Sequence, residues 1–353
     1  MPKPNVSKPS ILIIGNFLSQ SSSIQSVGEE LAKQLSGAGW TVITASHRTN
    51  RLLRLLDMVS TIWQRRDEYS MASVEVYSGR AFLWAEVACW ALRIANKPYL
   101  LTLHGGDLPK FAHRWPGRLT RLLGGAAVVT APSAYLIKQM QPYRADLQLI
   151  PNAIDLSRYH FRQRLQPIPF LVWLRAFHYI YNPLMAVEVL ASLRREFPDA
   201  TLAMIGPDKG DGSLQAVIQR VNKLGLDDAI EIPGPISKDK VPEWLDRGDI
   251  FINTTNVDNT PVTVLEAMAC GMCVVSTNVG GIPYLLENEI DSILISKGDA
   301  RGMTLSISSI LKDQAFAQQL SDNAHQRVKQ FGWEHILPKW EALFRETTNK
   351  VNG

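Results

Sequence analysis

Asp258 and Glu266 bracket the start of a probable helix in the stretch DNTPVTVLEAMACG. Thr260 is placed to cap that helix, Pro261 suits its first position and Gly271 suits its end. The leading amides of such a helix, here Val262 and Thr263, have no partner inside it and carry the positive end of its dipole. Anions and hydroxyls bind well there. Glu266, about a turn further in, can accept paired hydrogen bonds from vicinal hydroxyls such as those of a ribose, and Asp258 can reach a second polyol. Alone, each acid reads as readily as a surface carboxylate or a turn former. The sequel adds weight: a strand-like CVVSTNV, then GGIPYLL, in which two glycines permit close backbone approach before a helix opening with Pro283. The acid–x7–acid spacing with this strand and GGIP is far more specific than an isolated glycine motif.

Such residues need a scaffold, and the chain supplies alternating strand and helix patterns throughout. Strands are expected at 11–15, 41–46, 74–78, 98–104 and 126–131, then at 170–174, 200–206, 229–232, 249–254 and 273–277. The segment RQRLQPIPF separates the two series and puts a domain boundary near 162–169. The expected fold is α/β, with two Rossmann-like, doubly wound domains (1–165 and 166–332) facing across a cleft at the carboxyl ends of their strands. Residues 333–353 read as a helix crossing back to the first domain, with Pro338 suggesting a break or kink.

Composition bounds the function. With 353 residues, 46% of them hydrophobic, the chain can build two cores. Three cysteines are too few for a disulfide framework, no secretory leader is recognisable, and no apolar run nears the ~18 residues that span a bilayer. A cytoplasmic protein is expected. The CxxC at Cys270 and Cys273 lacks a second ligand pair, so packing explains it better than zinc or redox chemistry. Residues 1–165 carry 20 Lys and Arg against 10 Asp and Glu, whereas 166–353 carry 17 against 23. A basic half beside an acidic one points to an anionic partner for the first half. No nucleic-acid recognition motif accompanies that charge, so nucleic acid is not expected as a partner.

The assembled motifs resemble the GT-B glycosyltransferases, specifically the large retaining family 4. The matching pieces are VGEELAKQLSGAGWTVITAS, LTLHGG, VTAPSAYL, IPNAIDLSRY, WLRAF, MIGP and the block 258–283. The resemblance implies a nucleotide-sugar donor on the C-terminal domain, an acceptor on the N-terminal one, transfer with retention, and no required metal or cofactor. It implies that Glu266 binds the donor ribose. Asp258, where the family normally has Glu, approaches the donor sugar, and the backbone of Asn259, Thr260, Pro261 and Val262 faces sugar and phosphates.

Charge that develops on the leaving diphosphate needs positive groups. The family supplies an Arg and, some five residues on, a Lys. Arg175 matches the Arg; Tyr179 to Asn182 stand where the Lys should be. Two residues could replace it: His178, if protonated, or Lys209 in IGPDKGDGS, which also reads as a solvated loop lysine. His104, ending a strand before two glycines, matches a family histidine near the donor sugar. On the acceptor side stand Gly105 and Asp107, the latter as a base or merely a cap. The first loop is Ser-rich where the family is often Gly-rich, and its amides around Gly15, Asn16 and Phe17 could approach the diphosphate. No side chain announces itself as a covalent nucleophile.

RTNRLLRLLDMVSTIWQRR (48–66) has helical apolar spacing at Leu52, Leu55, Leu56, Val59, Ile62 and Trp63. It reads first as a domain helix packing that face on the sheet. Its arginines, with those of residues 110–121, also make a face suited to the inner surface of an anionic membrane and to a lipid-linked acceptor. The reading is a hexosyltransferase using a UDP- or GDP-sugar on a glycan or lipid-linked acceptor, in cell-surface polysaccharide or glycolipid synthesis. The alternatives are a degenerate GT-B domain serving as a scaffold, or another GT-B enzyme such as a sugar-nucleotide epimerase or a phosphorylase.

Overall fold

The apolar runs assemble into two six-stranded sheets in which every pairing is parallel. The computed structural model of the protein describes residues 9–18 and 26–352, with side chains to residue 349. Residues 19–25 of the Ser-rich loop lie outside the described residues. The chain divides into two compact units, Met1–Asn152 with Trp333–Gly353, and Ala153–Gly332.

The strands of the first unit are β1 (Ile11–Ile14), β2 (Val42–Ala45), β3 (Met71–Val76), β4 (Tyr99–Leu103), β5 (Val128–Ala131) and β6 (Gln148–Leu149). Its helices are α1 (Val27–Gly37), α2 (Arg51–Gln64), α3 (Phe82–Ile94), α4 (Leu108–Arg114), α5 (Pro116–Gly124) and α6 (Ala134–Met140). The strand order is β2-β1-β3-β4-β5-β6. Strands such as Ile11–Ile14 are buried on both faces, which is why they read as unbroken apolar runs instead of alternating. β6 has only two residues, both exposed, and left no such signal.

The second unit holds β7 (Phe170–Leu174), β8 (Thr201–Ile205), β9 (Ile230–Gly234), β10 (Ile250–Asn253), β11 (Cys273–Thr277) and β12 (Ile293–Ile295). Its helices are α7 (Pro183–Leu193), α8 (Ser213–Leu224), α9 (Val241–Arg247), α10 (Val262–Ala269), α11 (Ile282–Leu285), α12 (Ala300–Lys312) and α13 (Gln314–Val328). The strand order is β12-β11-β10-β7-β8-β9. Each sheet therefore reverses its order beside its own first strand, between β1 and β3 and between β7 and β10. Ligands of open parallel sheets bind outside the carboxyl ends at such reversals.

The division at residue 152 lies upstream of RQRLQPIPF because the preceding segment is tied to the second unit. The Ile154 amide donates to Phe331 O at 2.9 Å and the Arg162 amide to Cys270 O at 3.2 Å. Arg164, wholly buried, pairs with the buried Asp249 at 3.0 Å. A buried arginine is kept only where an acid neutralises it, so residues 153–165 cannot leave that unit freely.

The last helix, α14 (Trp333–Asn352), is grouped with the first unit. It stays helical through Pro338, where the sequence suggested a break or kink. Proline forfeits the bond to the Glu334 carbonyl near the helix start, while the following turns are anchored. Trp40 Nε1 donates to Glu341 at 2.6 Å, and the Trp40 and Trp340 rings lie 5.9 and 5.6 Å from Phe344.

α2 departs from its expected orientation. Met58 and Ile62 point inward with Arg54, whereas Leu52, Leu53, Leu56 and Trp63 are exposed, Leu52 to 74%. The buried Arg54 explains the rotation: its guanidinium donates to the carbonyls of Arg48 and Thr49 and, at 2.8 Å, to Asn16 Oδ1. Leu83, Trp90 and Ile94 are likewise exposed on α3.

Candidate functional site

In the second unit Arg175 follows β7 and Asp258 follows β10, so both stand at the point where strand order reverses. Their side chains form an ion pair, Arg175 Nη2 donating to Asp258 Oδ2. The guanidinium also lies 5.0 Å over the Tyr181 ring. Its Nε is buried with no hydrogen-bond partner. Burial pushes the Asp258 carboxyl above the usual carboxylate range, with Arg175 opposing that shift.

The loop carrying Asp258 is laced to the turn after β7. The Asn256 amide donates to Ile180 O at 2.6 Å, its side chain to Tyr179 O at 2.9 Å, and Thr254 Oγ1 to Tyr181 O at 2.8 Å. From the other side the glycine pair closes in: a Cβ on Gly280 or Gly281 would collide with the carbonyls of Asp258 and Asn259. Gly280 also has φ +55. The close approach that these glycines permit is therefore to the acid-bearing loop itself.

The helix after that loop starts one residue later than the sequence suggested. Pro261 is the N-cap, with extended φ −70 and ψ 116, and Thr260 lies before the cap. Pro261 O accepts the Val264 amide at 3.2 Å. The Val262 and Thr263 amides have no hydrogen-bond partner among the described residues, and Thr263 Oγ1 is buried without a partner. At the far end the Met272 amide reaches Ala267 O and the Gly271 amide Met268 O, both at 3.0 Å, with Gly271 at φ +74. That double bond is a glycine-dependent helix stop. Asn259 and Thr260 are buried beside the helix start.

Glu266 is 4% exposed, one turn inside α10, and accepts the Tyr159 hydroxyl at 2.7 Å. Burial raises its carboxyl above the ordinary value; Tyr159, Lys238, Arg158 and Arg175 pull it back. Three cationic side chains around a buried acid leave it a competent acceptor. Arg158 is held by the carbonyl of Lys238 at 2.8 Å.

The two candidates for the absent lysine differ in their ties. The Lys209 amide donates to Phe177 O at 3.2 Å, which sets its backbone beside the extension of β7 beyond Arg175. The side chain itself is exposed and makes no hydrogen bond among the described residues. His178 is engaged: Nδ1 accepts the Ile180 amide at 3.3 Å and Nε2 lies 3.9 Å from Asp211.

In the first unit His104 closes β4 and is buried against Glu75, Nε2 to Oε1 3.6 Å, with its ring stacked on Tyr77 at 5.0 Å. Gly105 follows, exposed, at φ +86. Asp107 stands at the start of α4 without capping it and pairs with Lys110 at 3.5 Å. The first-loop amides that the sequence offers to a diphosphate make bonds inside the unit. Gly15 N donates to Ala45 O at 2.7 Å, Phe17 N to Ser46 O at 3.1 Å, and the Asn16 amide favours the Glu75 carboxylate. All three amides are engaged within the unit, two on the carbonyls of Ala45 and Ser46 at the end of β2 and one on the buried Glu75 carboxylate.

Cys89, Cys270 and Cys273 are free, buried thiols, each pushed up to about 12 by desolvation. Among the described residues no group of three or more His, Cys, Asp or Glu is placed to hold a metal ion.

With the geometry in view, the relatives of the chain are informative. Residues 162–327 match the glycosyl transferases group 1, and residues 47–158 match glycosyltransferase family 4. The chain belongs to this glycosyltransferase family.

It is 27% identical over 233 residues to N-acetyl-alpha-D-glucosaminyl L-malate synthase of Bacillus anthracis, a match covering 62% of this chain and 59% of that protein. It is 24% identical over 283 residues to D-inositol 3-phosphate glycosyltransferase of Paenarthrobacter aurescens (strain TC1), covering 76% and 69%. Among solved structures, HepE of Anabaena in complex with UDP and glucose superposes with a TM-score of 0.75 at 18% identity, over 95% of this chain and 99% of that one. Sucrose-phosphate synthase of Thermosynechococcus elongatus gives 0.79 at 19%, over 96% and 98%. The two sheets are thus the GT-B fold.

Within this family member, three second-unit residues escaped the sequence reading: Tyr159, Arg158 and Lys238. Tyr159 and Arg158 end the motif IPNAIDLSRY, yet nothing local says that a tyrosine reaches a glutamate 107 positions away. Glu75 and Tyr77 in VEVYS read only as strand residues.

Proposed function

We propose that the chain is a retaining glycosyltransferase that moves a sugar from a UDP- or GDP-sugar to a glycan or lipid-linked acceptor. The observation that carries this is the buried Arg175 at the strand-order reversal, paired with Asp258 and keeping an Nε without a partner. A guanidinium with a spare donor is suited to a diphosphate. Glu266 would take the ribose hydroxyls, with Tyr159 holding one oxygen so that the other faces the ligand. Asp258 would meet the sugar, and Arg175 would stabilise the leaving diphosphate as the glycosidic bond lengthens and positive charge spreads over the sugar. The acceptor hydroxyl then attacks from the face that the diphosphate leaves. In the first unit His104 would meet a sugar hydroxyl, and no metal takes part.

The partner surface is part of the same proposal. The exposed leucines and tryptophans of α2 and α3, with Arg48, Arg51, Arg65 and Arg66 around them, would seat the first unit on an anionic bilayer where a lipid-linked acceptor lies. No helix among the described residues is long and apolar enough to cross a membrane.

The test is calorimetry and released-nucleotide assay over a panel of UDP- and GDP-sugars. Micromolar binding of one donor, with slow hydrolysis, supports the proposal. A folded protein that binds none would move the reading to a degenerate scaffold.

A further inference from the structure

At the carboxyl ends of β3 and β4 the first unit encloses two polar atoms that nothing satisfies. Glu75 Oε1 and His104 Nε2 are both buried without a hydrogen-bond partner, and they face each other across 3.6 Å. Such orphans in a native interior call for an explanation. The surroundings are shaped around them. The His104 ring stacks on Tyr77 at an interplanar angle of 17°, and the Tyr77 hydroxyl donates to Glu75 Oε2 at 3.3 Å. On the far side a Cβ added to Gly15 or to Gly28 would collide with the Glu75 carboxyl. The cradle therefore admits this one carboxyl and holds it against this one imidazole.

We propose that Glu75 is a positioning residue for His104: the contact between Oε1 and Nε2 selects the tautomer of the imidazole, and so whether Nδ1 offers a donor or an acceptor to a substrate hydroxyl. Nδ1 is the ring nitrogen not shut in by the orphaned contact. When Glu75 is protonated, its O–H donates to Nε2 and the ring proton sits on Nδ1. When Glu75 ionises, its proton passes to Nε2 and the proton on Nδ1 leaves for solvent, so Nδ1 becomes an acceptor. One proton is lost overall and the ring stays neutral throughout.

The electrostatics agree with that scheme. Desolvation pushes His104 down to about 4, which disfavours imidazolium. Desolvation pushes Glu75 up to about 7; the amides of Asn16 and Gly28 and the Tyr77 hydroxyl oppose it, and Glu29 of α1 adds to it. The switch therefore falls near neutrality.

The inference rests on the reading of His104 as a substrate-facing residue, but its primary test needs no substrate. Nitrogen-15 NMR of the full chain with labelled histidine reads the tautomer directly. The expected result is a change of His104 from Nδ1–H to Nε2–H around pH 7, without imidazolium above about pH 5. In Glu75→Gln the carboxamide donates to Nε2, and Nδ1–H should persist at every pH. Tyr77→Phe removes one donor to the carboxylate and should move the midpoint upward. Titration of His104 as a free imidazole near 6.5, or one tautomer in wild type and Glu75→Gln alike, would overturn the proposal. In the active enzyme, Glu75→Gln should abolish the neutral limb of the KM–pH profile for the sugar substrate. A protein that binds no nucleotide sugar would end the transferase reading while the tautomer measurement still decides this one.

Discussion

Arg175 and Asp258, 83 residues apart in the chain, meet as a largely buried ion pair where the second sheet reverses its strand order. One residue extends β7 and the other follows β10, so the pairing is a product of topology. It also sets the state of the arginine: the guanidinium is already neutralised by the acid, yet keeps a buried Nε without a partner. A diphosphate would complete that arginine.

The pair should behave as a unit in stability. Removing one partner of a buried pair leaves an uncompensated charge, at about 3–5 kcal/mol, whereas replacing both with apolar residues is nearly neutral. Arg175→Met and Asp258→Leu should each lower the urea midpoint strongly, and the double variant should recover much of the loss. Additivity of the two single effects would refute a coupled pair.

Donor binding should depend on Glu266 and, through it, on Tyr159. Loss of charge-assisted hydrogen bonds at about 1.5–3 kcal/mol predicts a roughly 10- to 100-fold weaker Kd for Glu266→Ala. Tyr159→Phe, which leaves the acid in place, should cost about 1 kcal/mol. Calorimetry with the preferred donor decides this; equal losses in both variants would assign the binding role to the tyrosine.

Lys209 and His178 are separated by the same experiment run at two salt concentrations. Lys209→Ala should weaken binding of the nucleoside diphosphate but not of the nucleoside, and reduce the salt dependence, because an exposed ammonium is screened. His178→Ala should leave affinity within a few-fold, since its ring is engaged in the turn. A larger effect at His178 than at Lys209 would reverse the assignment.

Membrane seating predicts that Leu56→Glu and Trp90→Ala reduce flotation with anionic vesicles without changing the thermal midpoint by more than a degree or two. Burial of such a side chain is worth about 1.5–3 kcal/mol, so each change should lower the bound fraction several-fold. Flotation independent of anionic lipid would sink the membrane proposal.

The Glu75–His104 contact has opposed linkage terms. Glu75, raised to about 7, holds its proton more tightly folded than unfolded, so its contribution is full below about 4.5 and is lost as pH rises to 7. His104, lowered to about 4, contributes fully above 6.5 and loses that as pH falls toward 4. In wild type the two slopes largely cancel between pH 4.5 and 6.5. His104→Gln should expose a fall of roughly 2–3 kcal/mol from pH 4.5 to 7, and Glu75→Gln a rise across pH 4 to 6.5. Parallel profiles for the two variants would contradict the opposed shifts.

The sequence alone determined every strand but the short β6 and β12, the two-domain GT-B architecture and the identity of most candidate side chains. It did so because buried parallel strands leave apolar runs and helix ends leave Pro and Gly at set places, as at Gly271. Those signals are local, written within a few residues of the feature they describe. Tertiary structure alone decided the rest. It turned the leucines of α2 outward by burying Arg54, brought Tyr159 to Glu266, placed Glu75 under Gly15 and Gly28, and turned the glycine pair 280–281 against Asp258. Each of these is a contact between residues far apart in the chain. Charge neutralisation, hydrogen-bond satisfaction and close packing select such contacts only after the sheets have formed, so no window of sequence carries them.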